Sequence, residues 1–277
     1  MHAPLPLFSL FSPPYRACRP LHEPLRWFED NPCPRGTALV WNLDKGLTED
    51  AMEVAEGRPG GVALMAILPP SAEINGQMSV FELLERCRPQ TVLPHHPRPA
   101  PEDMAALLAR PPEDLPQELV DYLLWRGVDA DRDTRRLLRR TVELSAELRT
   151  ITALSRGLYL SRRALGRRMR KLGLPVPSHW LQFCRILRGA LKLQNSRENL
   201  FSVAMSLGYP DGFTLSNQME RLTGARPSEA RSHLGWEWLV EAWLRMERRT
   251  GGLRSPLRSA DPALWATSGG GATAASA

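Results

Sequence analysis

The C-terminal half of this chain contains a fifty-residue repeat, and the repeat fixes most of what that half can become. When residues 158–178 are laid on residues 208–228, Tyr159 meets Tyr209, Leu165 meets Leu215 and Met169 meets Met219. Leu172 likewise meets Leu222, Pro177 meets Pro227 and Ser178 meets Ser228. The matched apolar residues recur at helical spacing, so each copy carries a helix with one buried face. Ser161 and Asp211 stand at matching positions ahead of those faces and predict an N-cap in both copies. Each copy reads as a short helix, a tight turn (156–160 and 208–210) and a capped second helix, which is a helix-turn-helix pattern occurring twice. Between the copies, Trp180, Cys184, Leu187 and Leu191 fall at i, i+4, i+7 and i+11 and predict one long helix over 178–193. Pro177 and Ser178 mark its start. Leu200, Val203, Ala204 and Leu207 predict the short helix that ends at Gly208.

Charge sharpens this reading. The formal net charge of +6 resolves into −7 over residues 1–130, +12 over 131–250 and +1 over 251–277. A basic segment joined to an acidic one points to a polyanion as partner of the basic part. Proline follows the same division, with 19 of the 25 in residues 1–130. The basic excess is densest between Ser161 and Lys171, where Arg162, Arg163, Arg167, Arg168, Arg170 and Lys171 occur with no acid. Leu165, Met169 and Leu172 take the inner face of that helix, so the cations face outward. Arginine on such a helix can pair bidentately with guanine in a major groove or clamp phosphate. The candidate contacts of the first copy are therefore Ser161, Arg162, Arg163, Arg167, Arg168 and Lys171. The second copy offers Gly212, Thr214, Asn217, Gln218 and Arg221, and its Glu220 would repel phosphate. The expectation is that the first copy grips DNA and sets the salt dependence, while the second reads weakly or serves as packing.

These residues resemble the C-terminal DNA-binding domain of AraC/XylS-type transcription regulators. The resemblance runs over about residues 141–234, through LSRRALGRRMRKLG (160–173), HWLQFCRILRGALKL (179–193), SVAMSLGYPDGFTLSNQMERLTG (202–224) and ARPSEAR (225–231). It implies an all-α domain of two helix-turn-helix units joined by a long helix. The two units would enter successive major grooves about 34 Å apart. It implies double-stranded DNA as partner and transcription regulation as function. The chain departs from the family at Asn217 and Glu220, where members often carry basic residues, and at Met219, where phenylalanine is usual.

The N-terminal part alternates strand and helix patterns. TALVWNL (37–43), GVALMAIL (61–68) and TVL (91–93) read as strands. TEDAMEVAEG (48–57), SVFELLERC (79–87) and PEDMAALLAR (101–110) read as helices, and YRACRP and LHEPLRWFE upstream could add one strand and one helix. Such alternation predicts an α/β domain with a small parallel sheet. The order resembles the later part of a response-regulator receiver domain, incomplete and degenerate. The resemblance puts Asn42 at the phosphoacceptor position, with Asp44 two residues on, and His96 before Pro97 where the receiver has its lysine. An amide cannot take a phosphoryl group as a carboxylate can, and the early magnesium-binding acids have no counterpart. The expected module is therefore independent of phosphorylation and used for contact with transcription machinery or a second copy of the chain.

The expected organisation is a receiver-like domain over 1–110, a helical linker over 111–140, the double helix-turn-helix domain with an extra C-terminal helix over 141–249, and a disordered tail over 250–277. Trp236, Trp238, Leu239 and Trp243 make that extra helix aromatic and predict that it docks on the core. Arg135, Arg136, Arg139 and Arg140 of the linker would touch phosphates or pair with the acidic half. No run of apolar residues reaches membrane length, and no membrane partner is expected. The four cysteines form no CxxC pair, which fits a reducing, cytoplasmic location. His95 and His96 are adjacent in an extended segment, so their side chains should point apart and ligate no metal. Gly57, Gly60 and Gly61 form no nucleotide-binding pattern, and Glu49, Asp50, Glu53 and Glu56 read as a solvated helix face. No catalytic set is visible, so neither an enzyme nor a cofactor is expected, and no effector is indicated. The competing reading is a protein-interaction module whose helix-turn-helix pair has decayed, favoured by Glu220 and Gly212.

Overall fold

The computed structural model describes residues 6–45, 48–69, 85–97 and 99–258. The N-terminal part is a five-stranded sheet in the order β2-β1-β3-β4-β5. Its strands are β1 (Phe8–Phe11), β2 (Cys18–Leu21), β3 (Ala38–Asn42), β4 (Ala63–Ile67) and β5 (Thr91–Leu93). Helices α1 (Pro24–Asp30), α2 (Glu49–Gly57) and α3 (Pro101–Ala109) cover it. Alternate residues of each strand enter different cores. Phe8, Leu10, Leu39, Trp41 and Leu64 pack with α1 and α2, while Phe11, Val40, Met65, Ile67 and Leu93 pack with Met104 and Leu108 of α3. Burial on both faces explains why β3 and β4 read as continuous apolar runs. The helix expected at 79–87 lies largely outside the described residues, and only 85–87 is seen to be helical.

The sheet corrects the parallel expectation. β3, β4 and β5 are parallel, but β1 runs antiparallel to both β2 and β3. The link from β1 to β2 spans only residues 12–17, and so short a link allows only antiparallel pairing. The strand order matches that of the flavodoxin-like fold, in which all strands run the same way. Here the C-terminal end of β1 lies beside Ala38, and Phe8 at its other end lies beside Trp41. Side chains following β1 therefore cannot meet the end of β3 at Asn42, as a receiver's metal-binding acids would. Asn42 is buried, its side-chain oxygen accepts from the Asp44 backbone N–H at 3.3 Å, and Asp44 is exposed. His95 and His96 also depart from expectation: the bend at 95–97 turns their rings edge-to-face at 4.4 Å.

The remainder is helical: α4 (Leu115–Trp125), α5 (Arg132–Leu144), α6 (Ile151–Gly157), α7 (Arg162–Lys171), α8 (Pro177–Asn195), α9 (Leu200–Ser206), α10 (Gly212–Thr223), α11 (Pro227–Ser232) and α12 (Glu237–Arg249). One apolar cluster runs through it from Leu115 to Leu253. Helices α4 and α5, read from sequence as a linker, are thus built into the helical body, because Leu119, Tyr122, Leu138 and Val142 join its core. The nineteen-residue α8 is the axis, about 28 Å long at the helical rise, and it touches α5, α6, α7, α9, α10, α11 and α12. The aromatic helix docks as expected. Trp243 stacks on Phe183 of α8 at 4.1 Å and meets Trp180 edge-on at 4.7 Å.

The sheet and the helical body are joined through buried charge. Arg88 pairs with Glu237 at 2.6 Å and with Glu118 at 2.9 Å. Arg126 pairs with Glu241 at 2.6 Å, and Tyr122 donates its hydroxyl to the same carboxylate at 2.7 Å while accepting from the Gly61 N–H at 2.8 Å. Arg58 is buried and donates to the carbonyls of Ala55, Val62, Cys87 and Arg88. Its guanidinium lies 4.3 Å over the Trp125 ring, and burial pulls its pKa down to about 10. Tyr15 spans the same junction, donating to the Gly36 carbonyl and accepting from the Leu234 N–H.

The nine residues 250–258, read as the start of a disordered tail, pack instead on the helical body. Leu253 is buried, and the Arg254 and Ser255 N–H groups donate to the Gly173 carbonyl at 2.7 and 3.0 Å. Residues 259–277, the rest of the expected tail, lie outside the described residues. Among the described residues no helix is long and apolar enough to cross a membrane.

Glu241→Ala strands the Arg126 cation in the core and should lower stability by about 3–5 kcal/mol in urea unfolding, whereas Arg126→Met with Glu241→Leu should recover most of it. Burial raises the Tyr15 and Tyr122 phenol pKa values well above the ordinary tyrosine value of about 10. The fold then holds more protons than the unfolded chain above that pH, so stability is intact below pH 10 and falls as pH rises past it. In a phenolate absorbance titration these two tyrosines should ionise only as the circular dichroism is lost.

Candidate nucleic-acid interface

The two copies of the repeat become two similar pairs of helices, each in contact with α8. In the first pair, α6 leads through a turn into α7, where the Ser161 hydroxyl accepts from the Ala164 N–H at 3.1 Å. In the second, α9 leads into α10, where the Asp211 carboxylate accepts from the Thr214 N–H at 2.6 Å. Leu165 and Met169 anchor α7, and Leu215 and Met219 anchor α10, all fully buried. Pro177 and Pro227 each open the next helix at its first position, where the missing N–H costs nothing. Tyr209 lies under Arg185 with the guanidinium 4.3 Å over its ring, while its counterpart Tyr159 is 95% exposed.

Helix α7 presents its cations as the sequence predicted. Arg162, Arg163, Arg167, Arg170 and Lys171 are exposed and Arg168 is half-buried. Among the described residues, no carboxylate closes an ion pair on any of the six. Asp131 is the acid nearest in effect: hydrogen bonds from Thr134 chiefly hold its carboxyl below the usual range, and Arg168 and Lys171 add to this. An open groove of about 940 Å³ runs beside α7, lined by Arg167, Arg168, Lys171 and Arg254 with Asp129 and Asp131 on its other wall. Arg254 enters this surface only because the tail folds back, which sequence reading missed.

Helix α10 is different. Glu220 pairs with Arg226 at 3.3 Å. Gln218 donates to the Gln182 side-chain oxygen of α8 at 3.0 Å, and Arg221 donates to the same oxygen at 3.2 Å. Two expected contact residues are thus tied to the long helix. Thr214 is half-buried, and Asn217 is exposed with its amide in no hydrogen bond among the described residues. The outer surface here also carries bare apolar groups, with Phe213 75% exposed, Phe201 58% and Met205 49%. The sequence held the signal for Phe213, since it occupies the register of Arg163 fifty residues earlier.

The linker arginines are used locally. Arg139 pairs with Asp114 at 2.7 Å, Arg140 with Glu143 at 2.7 Å and Arg136 with Asp133 at 3.9 Å, while Arg135 donates to the Ala130 carbonyl. On α8, Arg185 donates to the Leu207 carbonyl at the end of α9 and Arg188 to the Val142 carbonyl of α5, so both are used within the helical body. Arg132, Arg149, Arg156, Arg197 and Arg249 are exposed as well, but α7 carries the densest set of cations without a carboxylate partner among the described residues. Among the described residues no group of three or more His, Cys, Asp or Glu is placed to hold a metal ion. No protein-family model and no curated protein matches this chain.

Gly173 ends the turn after α7 in the left-handed region at φ +66°, and a Cβ there would stand 2.6 Å from the Ser255 nitrogen. Gly173→Ala should therefore expel residues 253–258, making the chain near Arg254 markedly faster to cleave in limited trypsin digestion than in the parent protein.

Proposed function

We propose that this protein is a sequence-specific, double-stranded-DNA-binding transcription regulator of the AraC/XylS type. The single observation that carries this reading is α7: six cations on a capped helix, none of them neutralised by a carboxylate contact among the described residues. Its setting adds support, since a second helix pair of the same plan packs on the same long α8. In this reading α6–α7 and α9–α10 are two helix-turn-helix units, and α7 lies in a major groove with Arg163 and Arg167 toward base edges. Ser161, Arg162, Arg168 and Lys171 hold phosphates. The N-terminal α/β part then serves protein contact, with transcription machinery or a second copy, rather than phosphotransfer. The antiparallel β1 and the buried Asn42 support that division. No cofactor and no catalytic step enter this function.

Gel shifts over a range of salt test it. Each lost phosphate contact lowers the slope of log affinity against log salt by about one unit, and each lost bidentate guanine contact costs about 1–3 kcal/mol. Arg163→Ala and Arg167→Ala should each weaken binding strongly, whereas Asn217→Ala should cost less and leave the salt slope unchanged. Equal losses for all three would contradict the assignment. A full-length chain that enriches no genomic fragment over bulk DNA would be the protein-interaction module instead.

A further inference from the structure

The fifty-residue register that relates α7 to α10 also relates their outer faces. Residues 163, 167 and 170 lie at i, i+4 and i+7 and form one stripe along α7, on the side away from the buried Leu165 and Met169. All three are arginine. The matching stripe on α10 is Phe213, Asn217 and Glu220, again opposite a buried leucine and methionine. The same geometric surface thus carries two different chemistries. Arginine suits the acceptor pair of guanine, or phosphate. Asparagine suits the acceptor and donor pair on adenine, and a phenyl ring suits the thymine methyl group.

We infer that α10 reads an A·T-containing half-site, Phe213 contacting a thymine methyl and Asn217 an adenine edge, while α7 reads a guanine-containing half-site about one helical turn away. This rests on the DNA-binding reading above and names what the second helix recognises. Three features of α10 support it. Phe213 is the most exposed of the large apolar side chains on this face, at 75%. Asn217 keeps both its donor and its acceptor free among the described residues. Glu220, which would repel phosphate, is turned to Arg226, so the stripe is left with one apolar and one amide contact. Gln218 and Arg221 are anchored to Gln182 and hold α10 against α8, which fixes the direction of the stripe. Charge favours any phosphate and so grips without choosing; Phe213 and Asn217 add affinity only where the sequence supplies a thymine methyl and an adenine edge.

The test begins by selecting bound duplexes from a random library with the full-length chain. Binding is then measured on the selected site with single thymines replaced by uracil, which removes only the methyl group. We expect one replacement in the A·T half to weaken the parent protein about three- to ten-fold, as loss of one buried methyl contact implies, and to leave Phe213→Ala unaffected. Phe213→Leu should keep part of the sensitivity. Asn217→Ala should relax the preference for adenine in the same half while leaving the guanine half unchanged. Because Phe213 and Asn217 are exposed, these variants should keep the parent circular dichroism spectrum. If the library yields a site but no thymine is sensitive, or Phe213→Ala is as sensitive as the parent, this inference falls and the regulator reading stands. If no site is enriched over bulk DNA, both fall.

Discussion

Three glutamates on one helix are buried among tryptophans, and the placement of everything else follows from how each is answered. Glu237, Glu241 and Glu247 of α12 are almost wholly shielded from water. A buried carboxylate is costly unless paired and hydrogen-bonded, so each demands a partner from elsewhere in the chain. Glu237 takes Arg88 from the sheet domain, and Glu241 takes Arg126 and Tyr122 from α4. Glu247 takes His179 at the start of α8, the Trp243 indole N–H of its own helix and, through its backbone carbonyl, the N–H of Gly252. One helix thereby locks the sheet, the long axis and the tail together. Its tryptophans pack on the axis while its acids fix which neighbours may surround it.

That arrangement inverts the gross charge pattern. The N-terminal 130 residues are net acidic and the following 120 net basic, which invites the expectation that the halves attract one another through that difference. In the buried pairs that cross this division the N-terminal 130 residues instead contribute the arginines, Arg88 and Arg126, and the following segment contributes Glu237 and Glu241. The acids of α2 and the cations of α7 stay on separate surfaces. The basic helix is consequently left with its charge unspent, which is the condition for binding a polyanion.

Within the helical body the repeat is conserved in plan and divided in chemistry. Capping residues, buried leucine and methionine, and the opening prolines coincide in both copies, so both pairs fold alike. The outer stripes carry no packing constraint, and there the copies diverge, from Arg163 and Arg167 to Phe213 and Asn217. Hydrogen bonds that Gln218 and Arg221 donate to Gln182 hold the second helix, whereas the first is free to meet a partner with every cation it has.

Much of the helical architecture was legible in the sequence. Caps at Ser161 and Asp211, the face of α8 and the docking of Trp243 all follow from local spacing, because a helix repeats its faces every few residues and its first N–H groups need hydrogen-bond acceptors. The basic stripe of α7 was legible for the same reason. What the sequence could not set was decided by contacts between distant residues. Strand direction in β1 depended on the short link to β2 and on pairing with β3, and apolar runs alone carry no direction. The linker reading of α4 and α5 failed because membership of a core depends on what packs against a face. The return of residues 250–258 depended on the carbonyl of Gly173, and the pairing of three buried glutamates on partners up to 149 residues away. Local periodicity determines which elements form and which surfaces they show; only tertiary packing decides which charges are neutralised and which remain to act.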